Sequence, residues 1–148
     1  MKDKKGRYMD WENTVLVLFF IYNSMLDIKN RTISLGSCIF MGIIGSGILL
    51  DTIQSHFITT LLFRCMPGIF LMAAGYKGIV QIGGGDGLVV LVIGIFQGVI
   101  KTMQILLVGL FVSALWGICL VIARKAKRNT EIPFVPFLFL GYLCCFLT

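Results

Sequence analysis

Six long apolar segments occupy most of this 148-residue chain and leave little sequence for anything else. They run over residues 13–26, 35–50, 57–76, 88–100, 103–123 and 132–148. A helix needs about 20 apolar residues to cross a bilayer. Several of these segments are shorter than a full crossing, so we expect their flanking residues to lie within the membrane boundary region. We therefore predict an all-α fold, a polytopic membrane protein with about six transmembrane helices, formed by residues 1–148 as a single domain.

Composition supports the same class. Hydrophobic residues make up 57% of the chain and charged residues only 14%, whereas a soluble domain carries about 25% charged residues. The net charge is +6, but a nucleic-acid interface needs a broad basic surface, which six membrane helices with short connections do not offer. A nucleic-acid partner is therefore not expected, and membrane lipids are.

Basic residues mark alternate connections between the segments. One set of connections carries Lys29, Arg31, Lys77, Arg124, Lys125, Lys127 and Arg128. The loop 51–56 has no Lys or Arg, and only Lys101 marks the short turn predicted between the fourth and fifth segments. The positive-inside rule places the first set in the cytoplasm, as in a multi-pass plasma-membrane protein. The Lys-rich N-terminus then lies outside, and an odd number of crossings with one re-entrant segment would remove that conflict.

Three aspartates adjoin the apolar body, where an ionised carboxylate is costly. Asp51 fits a solvated outer loop. Asp27 closes the first segment and Asp86 precedes the fourth, so both fall at the predicted cytoplasmic boundary. Two nearby carboxylates can share one proton, polarise a water and protonate a leaving amine, which is the chemistry of aspartic peptide hydrolysis. In the competing interpretation Asp27 only balances Lys29 and Arg31, and Asp86 belongs to a turn.

Glycines surround the second of these acids, in the run Gly83, Gly84, Gly85, Asp86, Gly87. Glycine permits close approach of another backbone, and a protease substrate lies extended against its enzyme. A simple turn between helices explains the same run. A phosphate-binding loop does not, because the Lys-Ser/Thr ending of that motif is missing.

Three segments together carry a family resemblance. Residues 83–86 (GGGD) match the GxGD motif of aspartic membrane peptidases. Residues 27–33 (DIKNRTI) look like the first aspartate motif of type IV prepilin peptidases, and residues 132–138 (IPFVPFL) resemble their closing IPFxPFL segment. The chain departs from the family at Ser34, where Pro is usual, and at Gly87-Leu88, where a Lys commonly follows the aspartate. The paired CxxC motifs of the long bifunctional members are absent from the sequence.

The resemblance implies the short, peptidase-only form. It assigns catalysis to Asp27 and Asp86, a prepilin or pseudopilin precursor as substrate, cleavage after its short basic leader at the cytoplasmic boundary, and no metal or organic cofactor. The candidate substrate-binding residues are Gly83, Gly84, Gly85, Lys29 and Arg31. The alternative is a non-enzymatic small membrane transporter or a pilus or secretion assembly subunit.

The remaining reactive side chains are expected to have structural roles. Five cysteines lie in apolar stretches without a CxxC pair, which is typical of packing residues and not of a zinc site. The single histidine, His56, falls in the predicted outer loop. Arg64 lies inside the third segment, where no partner acid is obvious, and we expect it to snorkel or to pair within the bundle.

Overall fold

The computed structural model describes residues 3–30, 32–52, 56–76, 84–123 and 133–147. These residues form six helices and, within those ranges, no strand, so the all-α prediction is confirmed. The helices are α1 (Asp3–Asn30), α2 (Leu35–Thr52), α3 (Phe57–Tyr76), α4 (Gly84–Gln97), α5 (Val99–Ile122) and α6 (Val135–Leu147).

Two helix boundaries differ from the sequence prediction. Helix α1 begins ten residues before its apolar segment, at Asp3, because residues 3–12 contain good helix formers such as Lys, Arg and Glu although they are polar. The turn predicted at Lys101 is wrong. The chain turns at Gly98, whose φ of 79° is unfavourable for any residue that has a side chain. Lys101 lies in the first turn of α5.

Neighbouring helices run in opposite directions along the bundle. Asn13 in the first half of α1 contacts Gln97 at the end of α4, while Ile33, just after α1, packs against Gly85 at the start of α4. These two contacts make α1 and α4 antiparallel. Met72 contacts Gly87 near the start of α4, and Arg64 contacts Gly94 near its end, so α3 is antiparallel to α4 and runs in the same direction as α1.

The remaining helices complete the alternation. Helix α6 is antiparallel to α1, because Val135 contacts Asp27 and Tyr142 contacts Asn13. Helix α5 is antiparallel to α6, since Ile105 and Gly109 pack against Gly141 and Leu138, respectively. Ile33, two residues before α2, packs against Gly85 at the start of α4, and Gly45 of α2 packs against Ile95 and Phe96, so α2 runs parallel to α4. The six helices thus pass back and forth between two ends of one bundle.

Helix α4 lies at the centre of this bundle. It packs against α2, α3 and α5, and its side chains Val89, Val90 and Ile93 are fully buried. The other five helices each expose large apolar side chains, among them Phe70 and Phe111, which are 74% and 64% exposed. By length and composition, Phe57–Tyr76 and Val99–Ile122 could each cross a membrane, and the apolar stretches of α2, α4 and α6 are shorter.

Candidate active site

Asp27 lies in the last turn of α1 and is only 7% exposed. Its Oδ2 accepts a hydrogen bond of 3.0 Å from the backbone N–H of Val135, and a second backbone hydrogen bond comes from Phe134. The first N–H groups of a helix have no partner inside that helix. Asp27 therefore caps the start of α6 from a distant part of the chain, a role that the sequence pattern did not predict.

Asp86 lies in the first turn of α4 and is 9% exposed. A negative charge is favoured there, because the N-terminal end of a helix carries a partial positive charge. The next residue, Gly87, sits so close to α3 that an added Cβ would collide with Met72 and would lie 3.2 Å from the carbonyl oxygen of Gly68. This close approach holds the start of α4 firmly against α3.

The helix directions bring the two acids to the same end of the bundle. Asn13 and Gln97 are in contact, and Asp27 lies about 21 Å further along α1 while Asp86 lies about 17 Å back along α4, at 1.5 Å per residue. Ile33 joins the two motifs directly, since an added Cβ on Gly85 would lie 2.9 Å from its Cδ1. We call this end, with Asp27, Asp86 and the start of α6, the aspartate end.

A polar strip on α1 and α2 accompanies the aspartate end. The Ser37 hydroxyl lies 3.1 Å from Oδ1 of Asn23, linking the two helices, and 2.8 Å from the carbonyl oxygen of Ser34. Ser24 precedes Asp27 by about one turn, so the two share a face of α1. Its hydroxyl is buried and makes no hydrogen bond within the described residues. Sequence reasoning missed both Asn23 and Ser24, although polar residues inside an apolar helix are the signal for such groups.

Ser34, where the prepilin peptidase pattern has proline, has a structural role of its own. It immediately precedes α2, and its Oγ accepts a hydrogen bond of 3.3 Å from the backbone N–H of Ser37. This is the arrangement of a helix N-cap, for which serine is among the preferred residues. The departure from the family pattern therefore replaces a rigid turn residue with a capping residue.

The predicted substrate-binding residues differ in their exposure and packing. Gly84 is exposed, with open space around an added Cβ, whereas Gly85 is used in packing against Ile33. Lys29 is exposed at the end of α1. Gly83 and Arg31 lie outside the described residues, as do the predicted basic connections at Lys77 and 124–128.

Arg64 and the two acids lie in different parts of the bundle. The Arg64 Nη1 donates a hydrogen bond of 2.7 Å to the carbonyl oxygen of Ile95, near the far end of α4, and that carbonyl lies about 14 Å along the helix from Asp86. Burial raises the pKa of Glu12, and the positive charge of Arg64 partly offsets that rise.

The described residues include no group of three or more His, Cys, Asp or Glu side chains arranged to hold a metal ion. The five cysteines, all of which are described, are free, and His56 is exposed before the start of α3. The residues with a chemically suggestive arrangement are therefore the acids of the aspartate end.

Comparisons of the chain with protein-family models, with curated proteins and with solved structures gave no match. The resemblance to prepilin peptidases consequently depends on the three sequence motifs. Two of these motifs contribute the acids of the aspartate end, and the third contains Phe134 and Val135, which hydrogen-bond to Asp27.

Proposed function

We propose that this protein is a membrane-embedded aspartic endopeptidase that removes the short basic leader of pilin-like precursors at the cytoplasmic membrane boundary. The observation that carries the proposal is the meeting of three separate motifs at one end of the bundle. Asp27 and Asp86 are both buried there, and the start of α6 is hydrogen-bonded to the first of them. Burying a carboxylate in an apolar bundle is costly, so two buried carboxylates at one end favour a chemical role.

A membrane environment for all six helices is part of the proposal. Helices that alternate in direction and expose large apolar side chains, such as Leu18, Phe40 and Phe111, suit a lipid surrounding better than water. Only α3 and α5 reach a full crossing by length and composition. The shorter apolar helices would cross with bilayer thinning or with flanking residues in the headgroup region.

The reaction would use the two carboxylates as one unit. Because two close like charges cannot both ionise cheaply, the pair would hold one proton between them. The ionised carboxylate takes a proton from a water as that water attacks the scissile carbonyl. The protonated carboxyl gives its proton to the leaving nitrogen, and the pair titrates as a unit.

Substrate would approach beside Gly84, whose exposed backbone carries no side chain to obstruct an extended peptide. The precursor expected from the resemblance has a basic leader ending in glycine, followed by an apolar helix. Its apolar helix would lie in the bilayer against the exposed faces of the bundle, while its leader remains at the boundary. Cleavage between the two would occur at the depth of Asp27 and Asp86.

Co-expression with a type IV prepilin tests the proposal, with leader removal followed as a shift on a gel. The wild-type chain should convert the precursor to its mature form. Asp86→Asn should leave the precursor uncut, because asparagine keeps the size but cannot share the proton. Asp51→Asn is the matched control and should cleave normally, since Asp51 lies in the last turn of α2, at the opposite end of the bundle from Asp86. Equal amounts of all three proteins in the membrane fraction complete the comparison.

An uncut prepilin with the wild-type chain, or normal cleavage by Asp86→Asn, would overturn the proposal. The first result, obtained with several prepilins, would favour the non-enzymatic alternative of a transporter or an assembly subunit.

A further inference from the structure

A second polar cluster joins three helices at the end of the bundle opposite the aspartates. Oδ1 of Asn13 on α1 accepts a hydrogen bond of 2.9 Å from Nε2 of Gln97 on α4 and one of 3.1 Å from the hydroxyl of Tyr142 on α6. We call these three residues the Asn13 hub. One carbonyl oxygen thus receives donors from two other helices.

The helices of the Asn13 hub are the same three that build the aspartate end. Helix α1 carries Asn13 and Asp27, α4 carries Gln97 and Asp86, and α6 carries Tyr142 and Val135, the donor to Asp27. A helix is a stiff rod that rises 1.5 Å per residue. Fixing the axial position of the three rods at one end therefore fixes it at the other end too.

Apolar packing alone does not fix that position well. Contacts such as the ring pair of Phe20 and Tyr142, with centroids 5.2 Å apart, are weakly directional and tolerate small slides. The two hydrogen bonds of the hub are partly buried. Such a bond has a narrow range of favourable geometries, and its loss leaves polar groups that are partly removed from water. Buried polar pairs are known to set helix register, at a cost in stability in some proteins.

We propose that the Asn13 hub is a register lock that positions Asp27 and Asp86 for catalysis; its catalytic consequence rests on the proposed function, and its structural consequence does not. Asn13, Gln97 and Tyr142 are positioning residues, since they act on the reaction only through the helices that carry the acids.

The end of α4 is also held in place beside the hub. Arg64 donates its hydrogen bond to Ile95, and the Thr102 hydroxyl donates one of 2.7 Å to the carbonyl oxygen of Gly98. Gln97 lies between these two anchored carbonyls. The backbone that carries Gln97 is thus held in place on both sides. The hydrogen bond from Gln97 to Asn13 therefore fixes the position of α4 relative to α1.

The test measures the aspartate end after the hub has been changed. Ile28 and Gly84 flank the two acids and are exposed, so ketone-bearing residues there can take nitroxide labels while the native cysteines remain. Electron-paramagnetic-resonance distances between the labels are then compared in full-length protein in lipid nanodiscs. The variants are Asn13→Leu, Tyr142→Phe and the exchange Asn13→Gln with Gln97→Asn, which keeps an amide pair of equal total length. Ser113→Ala, which removes an exposed hydrogen bond within α5 only, is the control.

We expect a narrow distance distribution in the wild type, Ser113→Ala and the exchange variant, and a shifted or broadened one in Asn13→Leu, with a smaller change in Tyr142→Phe. In the unlabelled proteins, Asn13→Leu should lower kcat for precursor cleavage about 10- to 100-fold, as misplacement of reacting groups by about 1 Å does. KM should stay within about twofold, because substrate contacts are untouched.

An unchanged distance distribution in Asn13→Leu would overturn the register lock. The register lock would also be overturned if the exchange variant lost as much activity as Asn13→Leu. That result would indicate a role for Asn13 other than its hydrogen bond with Gln97. A broadened distribution in a protein whose wild type cleaves no precursor would leave the lock standing and would count against the proposed function alone.

Discussion

The two polar regions of this bundle are built from the same three helices and differ in chemistry. In the Asn13 hub, neutral amide and hydroxyl groups from α1, α4 and α6 hydrogen-bond to one another. At the aspartate end the same helices supply two acids, and the buried hydroxyl of Ser24 has no partner within the described residues. Neutral groups that hydrogen-bond to one another stabilise one arrangement at little cost, whereas buried acids are expensive to keep ionised and need partners.

The residues of the Asn13 hub hold the fold, and the two acids are the groups that the proposed reaction uses. Changes near the hub should act on stability or register, and changes of the acids should act on catalysis. Asp27 belongs to both classes, because its carboxylate also caps α6. The following substitutions test this division, from the largest expected change in unfolding free energy to the smallest.

Gly98→Ala should destabilise the protein most, by about 3 kcal/mol, because a φ of 79° with a ψ of 169° is a conformation that essentially only glycine adopts. The nearest side-chain atoms to an added Cβ belong to Arg64, at 3.9 Å, so strain and not collision is the cause. Denaturant unfolding in detergent, followed by circular dichroism, gives the value. The control Gly47→Ala lies in helix α2 with open space around an added Cβ, and it should be neutral or slightly stabilising. Equal stability of Gly98→Ala and wild type would contradict the turn at this position.

Gly87→Ala should cost about 2 kcal/mol, because its Cβ would force α3 away from α4 at Met72. The same unfolding measurement applies. Its matched control is Gly84→Ala, three residues earlier, where nothing lies near an added Cβ and where the change should stay within about 0.5 kcal/mol. If the two variants were equally stable, the close packing of α3 beside Asp86 would be wrong.

Asp27→Ala should cost about 1 kcal/mol more than Asp27→Asn, as loss of a helix cap does. Asparagine keeps an oxygen that can accept the hydrogen bond from Val135, and alanine does not. Thermal unfolding of both variants measures the difference. Equal stability of the two would show that the cap contributes nothing, and the stabilising role assigned to this carboxylate would then be withdrawn.

Sequence patterns predicted the helices well because long apolar segments leave few alternatives. Within the described residues, each of the six segments contains a helix, and one predicted turn, that at Lys101, is misplaced. The pattern of apolar residues carries no information about backbone strain, and it therefore does not reveal that the chain turns at Gly98. The extension of α1 to Asp3 was also missed, because an apolar pattern identifies the apolar part of a helix and not its polar ends.

The candidate site was only partly predictable. The motifs singled out Asp27 and Asp86, and counting helices placed both acids at one boundary. The contacts of Asp27 with the start of α6 and of Asn13 with Gln97 and Tyr142 join residues far apart in the chain. Such contacts depend on how helices rotate and tilt against one another, which no local pattern records.

The central claim, that Asp27 and Asp86 work as one hydrolytic pair, is tested most directly by the cleavage rates of Asp27→Asn, Asp86→Asn and the double variant. Purified protein in lipid, a synthetic precursor and equal enzyme concentrations are needed. Groups that act as a unit give single losses as large as the double loss, so we predict that all three variants fall to the same uncatalysed rate. Substantial cleavage by either single variant would contradict the pair. So would a fall in cleavage rate in the double variant equal to the product of two partial falls in the single variants.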